Sequence, residues 1–325
     1  MKNPWLTIIG VGESGLHYLA DVSQKRLEKA DIIIGPPRHL RLLELSGGNI
    51  LEWPVPFSEG LSQLDTHKGK RVVALVSGDP FWYGAGAAIL RKFPLNEIEV
   101  LPGPSTFGWA AARMGWPIES ISCVGLHAKP VEHIRSLIAS QRKIIALMRD
   151  GDQVSSLADY LTKIGFGKTK FHVLEALGGE NENIREVVAK NYNLTDVLHP
   201  VCVAIIVDGD GSVVPLSNGI EDNFFANDGQ ITKSPIRALT LSALAPKYGQ
   251  HLWDLGAGSG SVSIEWLLSD KSLRATAVEQ DSSRCAIIKQ NVKDLGLDSL
   301  SILNGSSLEL ISTLRPPNAV FIGGG

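Results

Sequence analysis

The run Asp254-Leu255-Gly256-Ala257-Gly258-Ser259-Gly260 is the strongest constraint on how this chain folds. An apolar strand is predicted immediately before it, over His251–Leu255, and a helix immediately after it, over Ser261–Leu268. Glycines at such a turn let a ligand approach the backbone where side chains would clash. The spacing is GxGxG, not the GxGxxG of the dinucleotide fingerprint. Asp254 would repel a pyrophosphate at the loop, but it can hold the ammonium group of S-adenosylmethionine, which carries no phosphate. Glu279 closes the next predicted strand, Ala275–Glu279, where an acid accepts hydrogen bonds from both ribose hydroxyls. Strand, loop, helix, strand and acid together predict an S-adenosylmethionine site built from Asp254, Gly256, Gly258, Gly260 and Glu279. NAD binding and a plain structural turn are the weaker alternatives.

The upstream sequence alternates strands and helices in the same manner. Short β-branched runs cover Leu6–Ile9, breaking at Gly10; Ile32–Ile34, ending at Gly35-Pro36-Pro37; and Val72–Val76, ending at Ser77-Gly78-Asp79-Pro80. A helix is predicted over Tyr18–Lys29. Continuous apolar strands of this kind suit a parallel α/β sheet covered on both faces. A second lobe is predicted from about Pro117, with strands at Ile144–Met148, Phe171–Leu174 and Cys202–Val207 and a helix at Val154–Ile164. Residues 208–234 are rich in Gly, Asp, Asn and Ser and mark a junction. The predicted domains are therefore 1–212, with lobes of about 1–117 and 118–212, and 213–325. In the second domain Ser234 is read as a helix N-cap and Pro235 as the first helical residue. Ala319–Ile322 counts as the fourth strand of a doubly wound sheet. Ending there would leave an unpaired edge, so this domain is expected to be incomplete.

A length of 325 residues gives room for about two domains. The balance of 31 Lys+Arg against 34 Asp+Glu lacks the basic excess of a dedicated nucleic-acid binder. The three cysteines, Cys123, Cys202 and Cys285, are widely spaced without a CxxC, which speaks against a disulfide framework or a cysteine zinc site; no metal is expected. No apolar run approaches the ~20 residues of a membrane span, and a soluble, cytoplasmic protein is expected.

Further candidate sites lie at the carboxyl ends of the N-terminal strands, in Gly10-Val11-Gly12, Ser77-Gly78-Asp79-Pro80 and Pro102-Gly103-Pro104-Ser105-Thr106. Asp79 is either a ligand for a cation or a β-turn aspartate. His127 follows a strand-like Ile121–Val124. Arg113, Lys129, Lys233 and Arg237 are candidates to meet substrate carboxylates. His127, Lys129 and Lys233 are the candidate catalytic residues.

Taken together, these segments resemble the tetrapyrrole methylase family, in its precorrin-6Y branch. The resemblance rests on Ile9-Gly10-Val11-Gly12, Ser77 to Gly84, Pro102 to Phe107, Ala111 to Pro117, Leu126 to Pro130 and Glu175 to Glu180. In the second half it rests on Asp228 to Lys233, Arg237 to Leu241, Trp253 to Gly260, Ile264-Glu265-Trp266 and the closing Phe321-Ile322-Gly323-Gly324-Gly325. It implies a two-lobed tetrapyrrole methylase fold followed by a Rossmann-like class I methyltransferase fold. It also implies S-adenosylmethionine as methyl donor, a tetrapyrrole substrate methylated at ring carbons 5 and 15, and loss of carbon dioxide from an acetate side chain in cobalamin biosynthesis. By motif, Gly10, Gly12, Gly78, Asp79, Ser105, Thr106 and Met148 line the N-terminal donor cleft. No nucleic-acid or membrane partner is expected, and a homo-oligomer is. An RNA methyltransferase and a non-catalytic S-adenosylmethionine sensor are the rival readings.

Overall fold

The structure is a computed structural model that describes residues 4–323, so the Gly324-Gly325 end of the closing motif lies outside the described residues. The chain divides into two compact units. The first comprises Met1–His127, Lys143–Ala158 and Lys168–Ile206, and the second comprises Ala128–Arg142, Asp159–Gly167 and Val207–Gly325.

The first unit holds two sheets. Strands β1 (Leu6–Val11), β2 (Ile32–Gly35), β3 (Ile50–Glu52), β4 (Val72–Ser77) and β5 (Ile98–Leu101) form one, in the order β3-β2-β4-β1-β5 with every pairing parallel. All of β1 is buried, as expected for a strand covered on both faces. The second sheet is mixed. It contains β6 (Ser122–Gly125), β7 (Lys143–Met148), β8 (Lys170–Glu175), β9 (Asn183–Val188) and β10 (Val201–Ile206), in the order β6-β7-β10-β8-β9. There β6 runs parallel to β7, while β10 runs antiparallel to both β7 and β8.

The helix Thr106–Met114 shows how local chemistry sets this unit. Ser105 caps it, its hydroxyl accepting from Gly108 N at 3.0 Å, and Gly115 ends it in the left-handed conformation at φ 62°. Phe107, Ala110 and Ala111 face Ile145, Leu174, Cys202 and Ala204 of the second sheet. Full burial of the Phe107 ring contributes on the order of 2 kcal/mol. The predicted helix over Tyr18–Lys29 forms only over Asp21–Glu28, because Ala20 is extended and a single 3₁₀ turn covers Gly15–Tyr18.

In the second unit, β11 (His251–Leu255), β12 (Arg274–Glu279), β13 (Leu300–Asn304) and β14 (Ala319–Ile322) form a parallel sheet in the order β13-β12-β11-β14. The helix Ser261–Ser269 follows β11 and is buried along nearly its whole length. The helix Ser234–Leu244 corrects two expectations. Lys233 occupies the N-cap, while Ser234 is already helical and its hydroxyl donates to Gly219 O at 2.7 Å. Arg237, expected to meet substrate, is 0 % exposed and bound to Glu265 at 2.5 Å, to Asp222 at 3.2 Å and to the carbonyls of Thr232 and Ile220. Glu265 in turn accepts from Gly219 N and Ile220 N at 2.6 and 3.0 Å. The pair pins the chain entering this unit to its buried helix.

Breaking a buried, hydrogen-bonded ion pair from one side leaves an uncompensated charge and costs about 3–5 kcal/mol. Glu265→Gln is therefore expected to lower the unfolding free energy of the second unit, read from urea titration, by that amount, while Lys233→Gln, at the exposed end of the same network, changes it by less than about 1 kcal/mol.

Candidate functional site

Three loops meet at the carboxyl ends of β1, β4 and β5. Gly78 N donates to Val11 O at 2.9 Å, and Gly103 N donates to Gly78 O at 3.1 Å. A Cβ on Gly10 would overlap Gly78 O and Gly103 N, so only glycine fits there. Gly78 itself has φ 51°.

Beside this junction opens a cavity of about 310 Å³, within the range of small-molecule sites. Gly12, Gly78, Thr106, Met148 and His127 line it. The other predicted positions serve the loops. Gly10 supplies the close approach, and Ser105 caps the helix. Asp79 closes an Asx turn, its Oδ1 accepting from Phe81 N at 2.8 Å, which is the β-turn alternative.

Sequence reasoning missed the polar rim of this cavity: Glu13, Arg38, Arg149 and His199. Arg38 is ion-paired to Glu13, and its Nη2 lies 3.3 Å from Ser77 Oγ and 3.1 Å from His39 Nε2. The available signal was position: Arg38 follows the Gly35-Pro36-Pro37 break at the end of β2, and Arg149 directly follows β7. Burial pushes His39 down to about 4, with Arg38 adding to the effect; burial also holds His127 and His199 below the usual imidazole range. The imidazoles therefore stay neutral at neutral pH, and both rim arginines are ion-paired, Arg38 to Glu13 and Arg149 to Asp150 at 2.8 Å. The other predicted cations are already paired. Arg113 meets Glu182 at 2.5 Å, Lys129 meets Asp298 at 2.6 Å, and Lys233 lies 3.5 Å from Asp222.

The second site is the glycine loop after β11. Gly256, Gly258 and Gly260 all have positive φ, at 72°, 59° and 74°. Gly256 N and Ala257 N donate to Val278 O of β12. Glu279 is tied to the loop: its Oε2 accepts from Gly258 N at 2.8 Å and its Oε1 from Asp281 N at 2.9 Å. Each of those oxygens keeps a second lone pair. Asn291 latches the segment above, binding both backbone groups of Ala226 and donating to Ser259 O at 2.9 Å. Asp254 lies beneath the loop, 1 % exposed. Its Oδ2 accepts from Ser263 N and Oγ, while its Oδ1 is buried without a partner. Burial pushes this carboxyl up to about 6, the Ser263 hydrogen bonds opposing the rise and Glu279 adding to it. A ligand that brings positive charge to the loop supplies the compensation Asp254 lacks. Among the described residues, no cluster of His, Cys, Asp and Glu is arranged to hold a metal, and no helix is long and apolar enough to cross a membrane.

A glycine-walled cleft on one parallel sheet and a GxGxG loop on another define a methyltransferase of two modules, and comparison with known proteins agrees. Tetrapyrrole (Corrin/Porphyrin) Methylases match residues 5–192, and the Precorrin methyltransferase domain matches residues 223–325. A Sinorhizobium sp protein named Precorrin-6Y C(5,15)-methyltransferase (decarboxylating) is 38% identical over 327 residues, covering 99% of this chain and 79% of the relative. The chain belongs to this family, the fused precorrin-6Y methyltransferases with an N-terminal tetrapyrrole methylase fold. Two shorter relatives each match a part of it. Cobalt-precorrin-7 C(5)-methyltransferase of Salmonella typhimurium is 26% identical over 179 residues, 55% of this chain and 88% of its own. A probable cobalt-precorrin-6B C(15)-methyltransferase (decarboxylating) of Saccharolobus solfataricus is 35% identical over 112 residues, 33% of this chain and 56% of its own.

The raised Asp254 carboxyl predicts a pH dependence. With its folded value near 6 and an ordinary unfolded value near 3.8, the folded state binds the extra proton between them, so stability falls as pH rises through that window and levels off above it. The loss is on the order of 3 kcal/mol. Urea unfolding of the ligand-free chain at a series of pH values checks this, and Asp254→Asn is expected to flatten the slope.

Proposed function

We propose that the chain methylates precorrin-6Y, or its reduced form, at ring carbons 5 and 15 and decarboxylates an acetate side chain, using S-adenosylmethionine, in cobalamin biosynthesis. The observation that carries this reading is the presence of two separate ligand-ready sites in one chain, the cleft lined by Gly12 and Gly78 and the loop of Gly256, Gly258 and Gly260. The full-length relative's name favours it over the RNA methyltransferase and sensor readings.

S-adenosylmethionine, when bound, supplies an electrophilic methyl on a sulfonium. The residues then have three tasks: to hold the donor, to align the ring carbon at roughly 3–3.5 Å, and to exclude water. In the first site Gly12, Gly78, Thr106 and Met148 form the donor wall, and Arg38 and Arg149 face substrate carboxylates. His127, neutral and on the cavity wall, is the candidate group beside the reacting carbon. In the second site the backbone of Gly256–Gly260 receives the donor, with Asp254 behind it as counter-charge and Glu279 offering its free lone pairs to ribose hydroxyls. Lys129 and Lys233 are the remaining candidate catalytic groups, their ammonium groups facing Asp298 and Asp222.

We assign carbon 5 to the N-terminal module and carbon 15 with decarboxylation to the C-terminal one. The C(5) relative's match, 179 residues, is longer than 223–325 can hold, and the C(15) relative's 112 residues are close to that segment's size. The module boundary is placed at 212/213, inside the 193–222 stretch that neither family matches. Free thiols at Cys123, Cys202 and Cys285 suit the reducing cytoplasm.

Calorimetry with S-adenosylmethionine is expected to count two donors per chain. Gly12→Leu, which fills the cavity, and Gly258→Val, which strains a left-handed residue, are each expected to leave one. Mass analysis of the product is expected to show two added methyls and one lost carbon dioxide. A single donor per wild-type chain, or no mass gain, overturns the proposal.

A further inference from the structure

A second cavity, of about 530 Å³, lies within the second unit, walled by the 3₁₀ helix Val131–Leu137, the end of the helix Gly151–Lys163, Phe224 and the end of the helix Ser282–Asp294. Neither the donor sites nor the resemblance uses it. Its notable group is Arg135, which is 7 % exposed. One guanidinium nitrogen, Nη2, donates to Ser212 O at 2.7 Å, and the plane lies 5.5 Å from the centroid of the Phe224 ring. The other, Nη1, is buried without a hydrogen-bond partner. Among the described residues no carboxylate lies within ion-pair distance of Arg135. The acids on the same wall are engaged elsewhere, Glu132 with Lys293 at 3.9 Å and Asp294 with Gln290 at 2.7 Å.

Tyr160 lines the same cavity, and its hydroxyl is likewise buried without a partner. Burial pushes this phenol up to about 12, so at neutral pH it keeps its proton and can donate. An arginine cannot shed its charge inside a protein, and a buried guanidinium without a counter-charge is costly. Buried polar groups are normally hydrogen-bonded, and two orphaned donors on one cavity wall call for a shared acceptor. Lys163 adds an exposed cation at the rim.

We propose that this cavity binds a small oxyanion, a carboxylate or phosphate group, whose oxygens accept from Arg135 Nη1 and Tyr160 Oη while its remaining charge faces Lys163. The site is distinct from the residues assigned to methyl transfer, so its occupancy is readable without turnover.

The test is calorimetric titration of the full chain with citrate and, separately, with inorganic phosphate at low salt. Saturable binding of either at up to about 10 mM is expected, and which one binds identifies the oxyanion as carboxylate or phosphate. Tyr160→Phe, which removes only the hydroxyl, is expected to weaken it about tenfold. Lys163→Ala, on an exposed position that leaves folding intact, is expected to weaken it about threefold. Arg149→Ala, at the other cavity, is expected to leave it unchanged. Absence of binding by both anions, or binding that neither Tyr160→Phe nor Lys163→Ala moves, overturns the proposal.

Discussion

Three glycines in contact decide whether the first unit can function. Gly10, Gly78 and Gly103 bring the carboxyl ends of β1, β4 and β5 so close that a Cβ on Gly10 has no space. The hydrogen bonds from Gly78 N to Val11 O and from Gly103 N to Gly78 O lock that approach. Parallel strands splay their loops unless something pulls them together, and here the absence of side chains permits backbone to do so. The cavity opens beside this junction, with Arg38 and Arg149 among its lining residues.

The two candidate sites differ in their electrostatics. In the first unit Arg38 and Arg149 line the cavity, and each is ion-paired, to Glu13 and to Asp150. In the second unit the charge near the loop is acidic, with Asp254 buried below it and Glu279 bonded into it. A cation fits the second arrangement directly. The first has its charges paired at the rim and is otherwise walled largely by backbone and apolar side chains.

Much of this was legible in the sequence, and the failures have physical causes. Strands β1, β2 and β4 and the glycine loop after β11 carried their own punctuation, continuous apolar runs that stop at glycine. Strand β3 is only three residues long, and β9 reads Asn-Ile-Arg-Glu-Val-Val, too polar for an apolar-run criterion, so both were invisible until pairing revealed them. Gly12, Gly78, Thr106 and Met148, named by motif, line the cavity of the first unit. Asp79 and Ser105 belong to the same motifs but work on the backbone, capping a turn and a helix. Arg237 misled for a related reason: a charged residue in a helix reads as exposed, and only the tertiary fold brings Glu265 to meet it. Arg38 and Arg149 lie outside any motif, and their convergence on one cavity depends on two different sheets.

The loop from Gly256 to Gly260 presents main-chain atoms, with Glu279 bonded into it and Asp254 bonded to the helix behind it. Asn291, farther out, shares in holding it through Ser259 O. A cradle made of backbone leaves the remaining side chains around it free to differ in size and charge while its own geometry stays the same.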